Sequence, residues 1–218
     1  MASKPDVASE KRAAAEAAAE LVDDGMSVGL GTGSTVAYLL PPLAARDLSI
    51  RCVATSPATE GAARDLGLQV QEFDGLDRLD IAIDGADQVT PEGWLVKGGG
   101  GAHVREKIVA GAADRFVVIV DSGKTVDALS SPVPLELSAF GLRATLRVLG
   151  DVELRDAPPS PDGGVLADYL APFTAPEALA ARLAATPGVV GHGLFPPAMV
   201  SDVLVGRGSE AQALRLKP

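Results

Sequence analysis

A chain of 218 residues, 47% of them apolar, is long enough to bury a sizeable core as one large domain or two small ones. Its 19 basic and 29 acidic residues leave a formal charge of −10, which argues against a nucleic-acid partner; an anionic ligand has to be held by local lysines and backbone N–H groups. The single Cys52 forms no internal disulfide, no apolar run approaches membrane-spanning length, and no signal-peptide core follows the polar start "MASKPDVASEK", so a cytoplasmic location without a membrane partner is expected.

In chain order, the alanine-rich stretch 8–22 reads as a helix with Ser9 at its N-cap. "MSVGLG" (26–31) reads as a buried strand, and "TGSTVAYLL" opens a helix that Pro41 and Pro42 bend or end. "IRCVATS" is a strand, and "PATEGAARDLG" a helix closed by Gly67. "LDIAID" (79–84) and "WLVK" (94–97) are strands, 102–113 a helix and 115–121 a strand. This alternation predicts an α/β fold, a Rossmann-like and mostly parallel sheet with helices on both faces.

After about residue 130 the order becomes strand, helix, strand, strand, helix, strand: "VPLEL", "FGLRATLRVLG", "VELRD", "VLADYL", "APEALAARLAA" and "GVVGHGLF". That is the βαββαβ order of a smaller ferredoxin-like α+β domain. "SDVLVGRG" (201–208) returns the chain to the first sheet. The expected domains are 1–130 with 201–218, and 131–200.

Three stretches carry chemistry. "GLGTGSTV" (29–36) lies between strand and helix, where amides and a helix N-terminus hold phosphate. It lacks both the G-x-G-x-x-G spacing and the Walker lysine, which disfavours NAD and ATP; the hydroxyls of Thr32, Ser34 and Thr35 suit a phosphate monoester, the alternative being a tight turn with a serine cap. "DIAIDGADQV" sets Asp84 and Asp87 at a strand's C-terminal end, where open α/β sheets bind ligands. They either accept hydrogen bonds from sugar hydroxyls or serve only as turn-forming aspartates.

"VKGGGGAHVREK" (96–107) places Lys97 before four glycines and Glu106 early in the next helix. Near the reference carboxyl value, and favoured by the helix dipole, Glu106 is expected to be an ionised base at neutral pH. Lysine, aspartates and a lone glutamate suggest proton abstraction beside a carbonyl, with the developing oxyanion held by Lys97 and glycine amides. The competing reading pairs Glu106 with a neighbouring Arg or Lys on an exposed helix face. His103 and His192 stand without a metal-ligand pattern, Trp94 is expected to pack, and Lys124 in "DSGKTV" either reaches an anionic substrate or is solvated.

Taken together, "GLGTGSTV", "ATSPATEGAARDLGL", "DIAIDGADQV", "LVKGGGGAHVREKIVA", "FVVIVDSGK" and "PVPLEL" resemble the type A ribose-5-phosphate isomerases, with similarity running to about Gly208. The resemblance implies interconversion of D-ribose 5-phosphate and D-ribulose 5-phosphate in the pentose phosphate pathway, without metal or organic cofactor, by a homodimer or tetramer. It implies substrate binding by Thr32, Gly33, Ser34 and Thr35, by Asp84, Gly85, Ala86 and Asp87, by Lys97, Gly98, Gly99 and Gly100, and by Lys124, with Lys11 near the phosphate. It makes Glu106 the general base, with Asp84, Asp87 or Lys97 assisting ring opening. Gln88 stands where the family usually has Glu. The competing functions are another sugar-phosphate enzyme, such as a deaminase or lactonase, and a sugar-phosphate sensor. The sensor would need a DNA-binding segment, and none precedes residue 26.

Overall fold

The computed structural model describes residues 6–216; the expected domain bounds at 1 and 218 fall outside them. The first helix, α1 (Val7–Ala19), is capped by the Asp6 carboxylate, which accepts from the N–H groups of Ala8 and Ser9. The cap expected at Ser9 is therefore three residues too late. Ser9 lies inside the helix, and aspartate serves the same orphan donors. Then follow β1 (Ser27–Leu30), α2 (Ser34–Ala45), β2 (Arg51–Ala54), α3 (Pro57–Asp65) and β3 (Leu79–Asp84).

The helix α2 continues through Pro41 and Pro42 to Ala45, so of the two outcomes expected, a bend or an end, the prolines do not end it. An interior proline costs about 3 kcal/mol. Leu39, Leu40 and Leu43 are buried on the same helix, each contributing about 1.5–3 kcal/mol, a sum of the same order as the cost of the two prolines.

Two short strands, β4 (Gln88–Val89) and β5 (Leu95–Val96), precede α4 (His103–Ala112) and β6 (Ala113–Asp121). Then come β7 (Val133–Leu137), α5 (Leu142–Leu149), β8 (Val152–Leu154), β9 (Val165–Tyr169), α6 (Pro176–Ala184), β10 (Val189–His192), β11 (Leu194–Phe195), β12 (Asp202–Arg207) and β13 (Glu210–Ala213). The main sheet has the order β13-β12-β6-β3-β1-β2, all parallel except the β13 edge. Alternate residues of β6 enter two cores: Val117 and Ile119 join α1 and α2, whereas Phe116, Val118 and Val120 join α4. Helices therefore cover both faces, which is why the strands read as nearly continuous apolar runs.

A second, antiparallel sheet has the order β10-β7-β9-β8 and packs on α5 and α6 around Leu135, Leu137, Leu149 and Leu183. "GVVGHGLF" is not one strand. It breaks at Gly193, where the N–H bonds to Pro134 O at 2.7 Å and the carbonyl accepts from Lys97 N at 2.8 Å. A Cβ at Gly193 would lie 2.0 Å from Lys97 O. Beyond this crossing β11 pairs with β5 in a third sheet, β11-β5-β4, which bridges the other two. Cys52 is buried, and burial pushes its thiol up to about 12.

Candidate active site

The C-terminal ends of β1, β3 and β5 open onto a cleft of about 230 Å³. Lys11, Thr32, Gly33, Ser34, Thr35, Gly85, Ala86, Asp87, Lys97, Gly98, Gly99, Gly100, Glu106 and Lys124 line it. Every sequence-predicted site residue is thus at the cleft wall except Asp84, which lies beneath it.

Asp84 is nearly fully buried and surrounded by donors. Its Oδ1 accepts from Thr32 N at 3.1 Å and Gly85 N at 2.7 Å, and its Oδ2 lies 2.8 Å from Lys97 Nζ. Gly31 makes room for it, because a Cβ there would sit 2.0 Å from the carboxylate. One glycine of "GLGTGSTV" therefore serves an aspartate rather than a phosphate.

Lys97 also donates to Gly85 O and lies 3.2 Å from Glu106 Oε2. The Lys97, Asp84 and Glu106 side chains are 2%, 4% and 3% exposed. Burial opposes the Lys97 charge, but Asp84 and Glu106 outweigh it and raise its pKa. The cluster holds two carboxylates against one ammonium. Burial pushes both carboxyls up, and the nearby Asp84 charge adds to the effect on Glu106, which reaches about 8. Asp84 has three donors and Glu106 only the poorly aligned lysine, so Glu106 is the carboxyl less well held in its charged form.

This corrects the expectation of a carboxylate already ionised at neutral pH: desolvation outweighs the helix terminus. It also removes the exposed-face reading. Arg105 turns to Asp162 instead, at 2.7 Å, while Lys107 donates to His192 O at 2.6 Å and Leu194 O at 2.9 Å. Burial lowers Lys107 to about 8. The Phe195 ring lies near both ammonium groups, 5.5 Å from Lys97 Nζ and 4.7 Å from Lys107 Nζ.

The glycine loop closes one side. Gly98 has φ +107°, a conformation open to glycine, and a Cβ there would meet His103 Nδ1 at 2.7 Å and Pro134 Cβ at 2.8 Å. Gly99 N donates to Asp87 Oδ2 at 2.9 Å. His103 is fully buried beneath the loop, and burial lowers its pKa to about 4, leaving it neutral. Among the described residues no cluster of His, Cys, Asp or Glu has a metal-holding arrangement. Gln88 uses its amide on Ser130, donating to the carbonyl at 2.9 Å and accepting from the N–H at 2.8 Å.

At the far end, α2 begins at Ser34, leaving its first N–H groups facing the cleft. Lys11 Nζ donates to Ser34 Oγ at 2.8 Å, and Lys124 stands on the turn after β6. Glu10, missed in the sequence, ties these parts together. Its Oε2 accepts from Ser122 N and Oγ at 2.9 and 2.7 Å, and its Oε1 from Gly208 N at 3.2 Å. Thr55 was missed too; its hydroxyl bonds that of Thr32 at 2.7 Å. The signal for Glu10 was an acid on the apolar face of an otherwise alanine-lined helix.

An open α/β sheet whose cleft has a helix N-terminus at one end and a buried lysine–carboxylate cluster at the other has the layout of an enzyme of acid–base type. Residues 51–210 match the family model described as ribose 5-phosphate isomerase A (phosphoriboisomerase A). The ribose-5-phosphate isomerase A of Caulobacter vibrioides is 44% identical, covering 96% of this chain and 98% of that protein. The solved ribose 5-phosphate isomerase A of Neisseria gonorrhoeae has a TM-score of 0.91 at 30% identity, over 95% of this chain and 96% of that one. A D-ribose-5-phosphate isomerase in complex with phospho-erythronic acid has a TM-score of 0.87 at 32% identity, over 94% and 96%. The chain belongs to the ribose 5-phosphate isomerase A family.

Proposed function

We propose that this chain interconverts D-ribose 5-phosphate and D-ribulose 5-phosphate through an enediolate, as a step of the pentose phosphate pathway. The observation that carries the reading is the buried Lys97–Glu106 pair at 3.2 Å in the same cleft as the α2 N-terminus. The phosphate rests on Gly33, Ser34 and Thr35 with Lys11 and Lys124, which places the sugar's other end against Asp87, the glycine loop and Glu106. A similar isomerase has been solved in complex with phospho-erythronic acid, a phosphorylated sugar acid, which supports a sugar phosphate as the class of ligand.

Asp87 assists ring opening. The Glu106 carboxylate then takes the proton from C2 of the open aldose, and the electron pair forms the C1–C2 double bond of an enediolate. Lys97 and the glycine amides hold the charge on oxygen. The O2 hydroxyl proton passes to O1, Glu106 returns its proton to C1, and the ketone forms at C2. No electrons are gained or lost overall, so the step needs no redox cofactor, and Lys97 with the glycine amides supplies the positive field that the oxyanion requires. A pKa near the working pH lets one carboxyl act as both base and acid. Asp84 keeps Lys97 charged from below and makes no substrate contact of its own in this reading.

In this reading residues 1–130 and 201–218 form the catalytic domain and 131–200 the smaller one. The protein is cytoplasmic and works as a homo-oligomer, a dimer or tetramer. The exposed Phe140, at 93%, and Val148, at 67%, support self-association. The test is conversion of ribose 5-phosphate by the purified chain with and without EDTA, beside unphosphorylated ribose. Turnover of the phosphate ester alone, unaffected by EDTA, is expected. Binding of ribose 5-phosphate without turnover would return the sensor reading.

A further inference from the structure

One guanidinium outside the cleft reaches the loop inside it. Arg155, just beyond β8, forms a two-pronged pair with Asp168 on β9: Nε to Oδ2 at 2.8 Å and Nη2 to Oδ1 at 2.7 Å. Its remaining nitrogen, Nη1, donates to Gly98 O at 2.8 Å. Gly98 O also accepts from Gly101 N at 3.0 Å. On the other side of the same peptide unit, Gly99 N donates to Asp87 Oδ2 at 2.9 Å. The Gly98–Gly99 peptide is thus gripped at its carbonyl by the four-stranded sheet and at its N–H by the residue proposed to meet the sugar.

This peptide joins two glycines, so without such a grip its plane is freer to rotate than one flanked by residues with side chains. Rotation would swing the N–H away from Asp87 and release that carboxylate. We propose that Arg155 is a positioning residue for isomerisation: held by Asp168, it fixes the Gly98–Gly99 peptide and through it Asp87. The consequence for turnover rests on the proposed function; the grip itself does not. Planarity matters here, because one guanidinium serves Asp168 and Gly98 in different directions at once, which a lysine ammonium cannot do at the same reach. A separate cavity of about 260 Å³, lined by Asp87, Gly99, Arg155 and Asp168, gives solvent access to the guanidinium.

The experiment uses the full chain and two variants, Arg155→Ala and Arg155→Lys, the second retained in case the first folds poorly. Hydrogen exchange at the Gly99 amide is read by NMR, with the Val120 amide of the core as reference. Initial rates are measured on ribose 5-phosphate with and without millimolar methylguanidinium, tetramethylammonium serving as the salt control. Both variants are expected to exchange Gly99 at least about tenfold faster with Val120 unchanged. They should lose about 10- to 100-fold in kcat with KM changed less than about threefold, the size expected for misplaced rather than missing groups. Methylguanidinium should restore part of kcat to Arg155→Ala, and tetramethylammonium none. Gly99 exchange within twofold of wild type in the folded variant overturns the proposal, as does a kcat loss that methylguanidinium leaves unchanged. Because exchange is read without substrate, it tests the grip even if the chain isomerises nothing.

Discussion

The Lys97 ammonium stands 3.2 Å from Glu106 Oε2, with both side chains almost entirely removed from water. With Asp84 on its other side at 2.8 Å, the lysine is shared by two carboxylates that it can neutralise only once. Catalysis and stability therefore respond to the same proton.

The first response is in rate. Burial pushes Glu106 up to about 8 in the free protein, and the base works only when ionised. Since kcat/KM reports the free enzyme, it should climb nearly tenfold per pH unit from about 6.5 and level off above about 8. The substrate phosphate, with its own pKa near 6, adds only to the lowest part of that limb. A kcat/KM profile flat between pH 6.5 and 8 would contradict the assignment.

Stability should move the opposite way. The folded protein binds the Glu106 proton more tightly than the unfolded chain, with a pKa raised from 4.5 to about 8. The group's contribution is fully present below about 4.5 and is lost as pH rises through about 8. Glu106→Gln lacks that dependence. Relative to wild type its stability should rise from pH 5 to about pH 8 by about 1 kcal/mol or more and hold level above that. Equal pH slopes for the two proteins, read by calorimetry, would count against a proton held on Glu106.

Removing the shared lysine should be far worse. Lys97→Met leaves two buried carboxylates without their cation, a change that costs about 3–5 kcal/mol when a buried pair is broken. The loss should be largest near pH 8 and smaller near pH 5, where the carboxyls can be protonated. Urea unfolding at the two pH values checks this, and kcat should fall by about a hundredfold or more.

The opposite end of the cleft should separate binding from chemistry. Lys124→Ala and Lys11→Ala each remove a cation near the proposed phosphate and none near Glu106. KM should rise about tenfold with kcat within about threefold, and the effect should shrink as salt is added. A kcat loss as large as that of Lys97→Met would mean that the substrate lies the other way round.

Much of this was legible in the chain itself. The bounds of β3 coincide with the run "LDIAID", since a strand buried on both faces leaves an apolar stretch that Asp and Gly end. The glycine loop, Asp87 and Lys97 stand out because each sets an unusual residue at a strand end, and Glu106 because it follows them in the first turn of the next helix. What escaped depends on contacts between distant segments. Pro41 and Pro42 stay helical because of the leucines around them, and "GVVGHGLF" breaks because Lys97 O lies against Gly193. The protonation of Glu106 follows from burial with Asp84, and the reach of Arg155 to Gly98 spans 57 residues. Neither pattern nor local propensity encodes such distances.

The measurement that bears most directly on the central claim compares wild type with Glu106→Gln on ribose 5-phosphate, combining initial rates with calorimetric binding. The account predicts that the variant folds, binds the substrate within about threefold of wild type and loses at least about a thousandfold in kcat, since an amide cannot carry the proton. A folded variant turning over at near the wild-type rate would contradict it, and the base would have to be sought elsewhere.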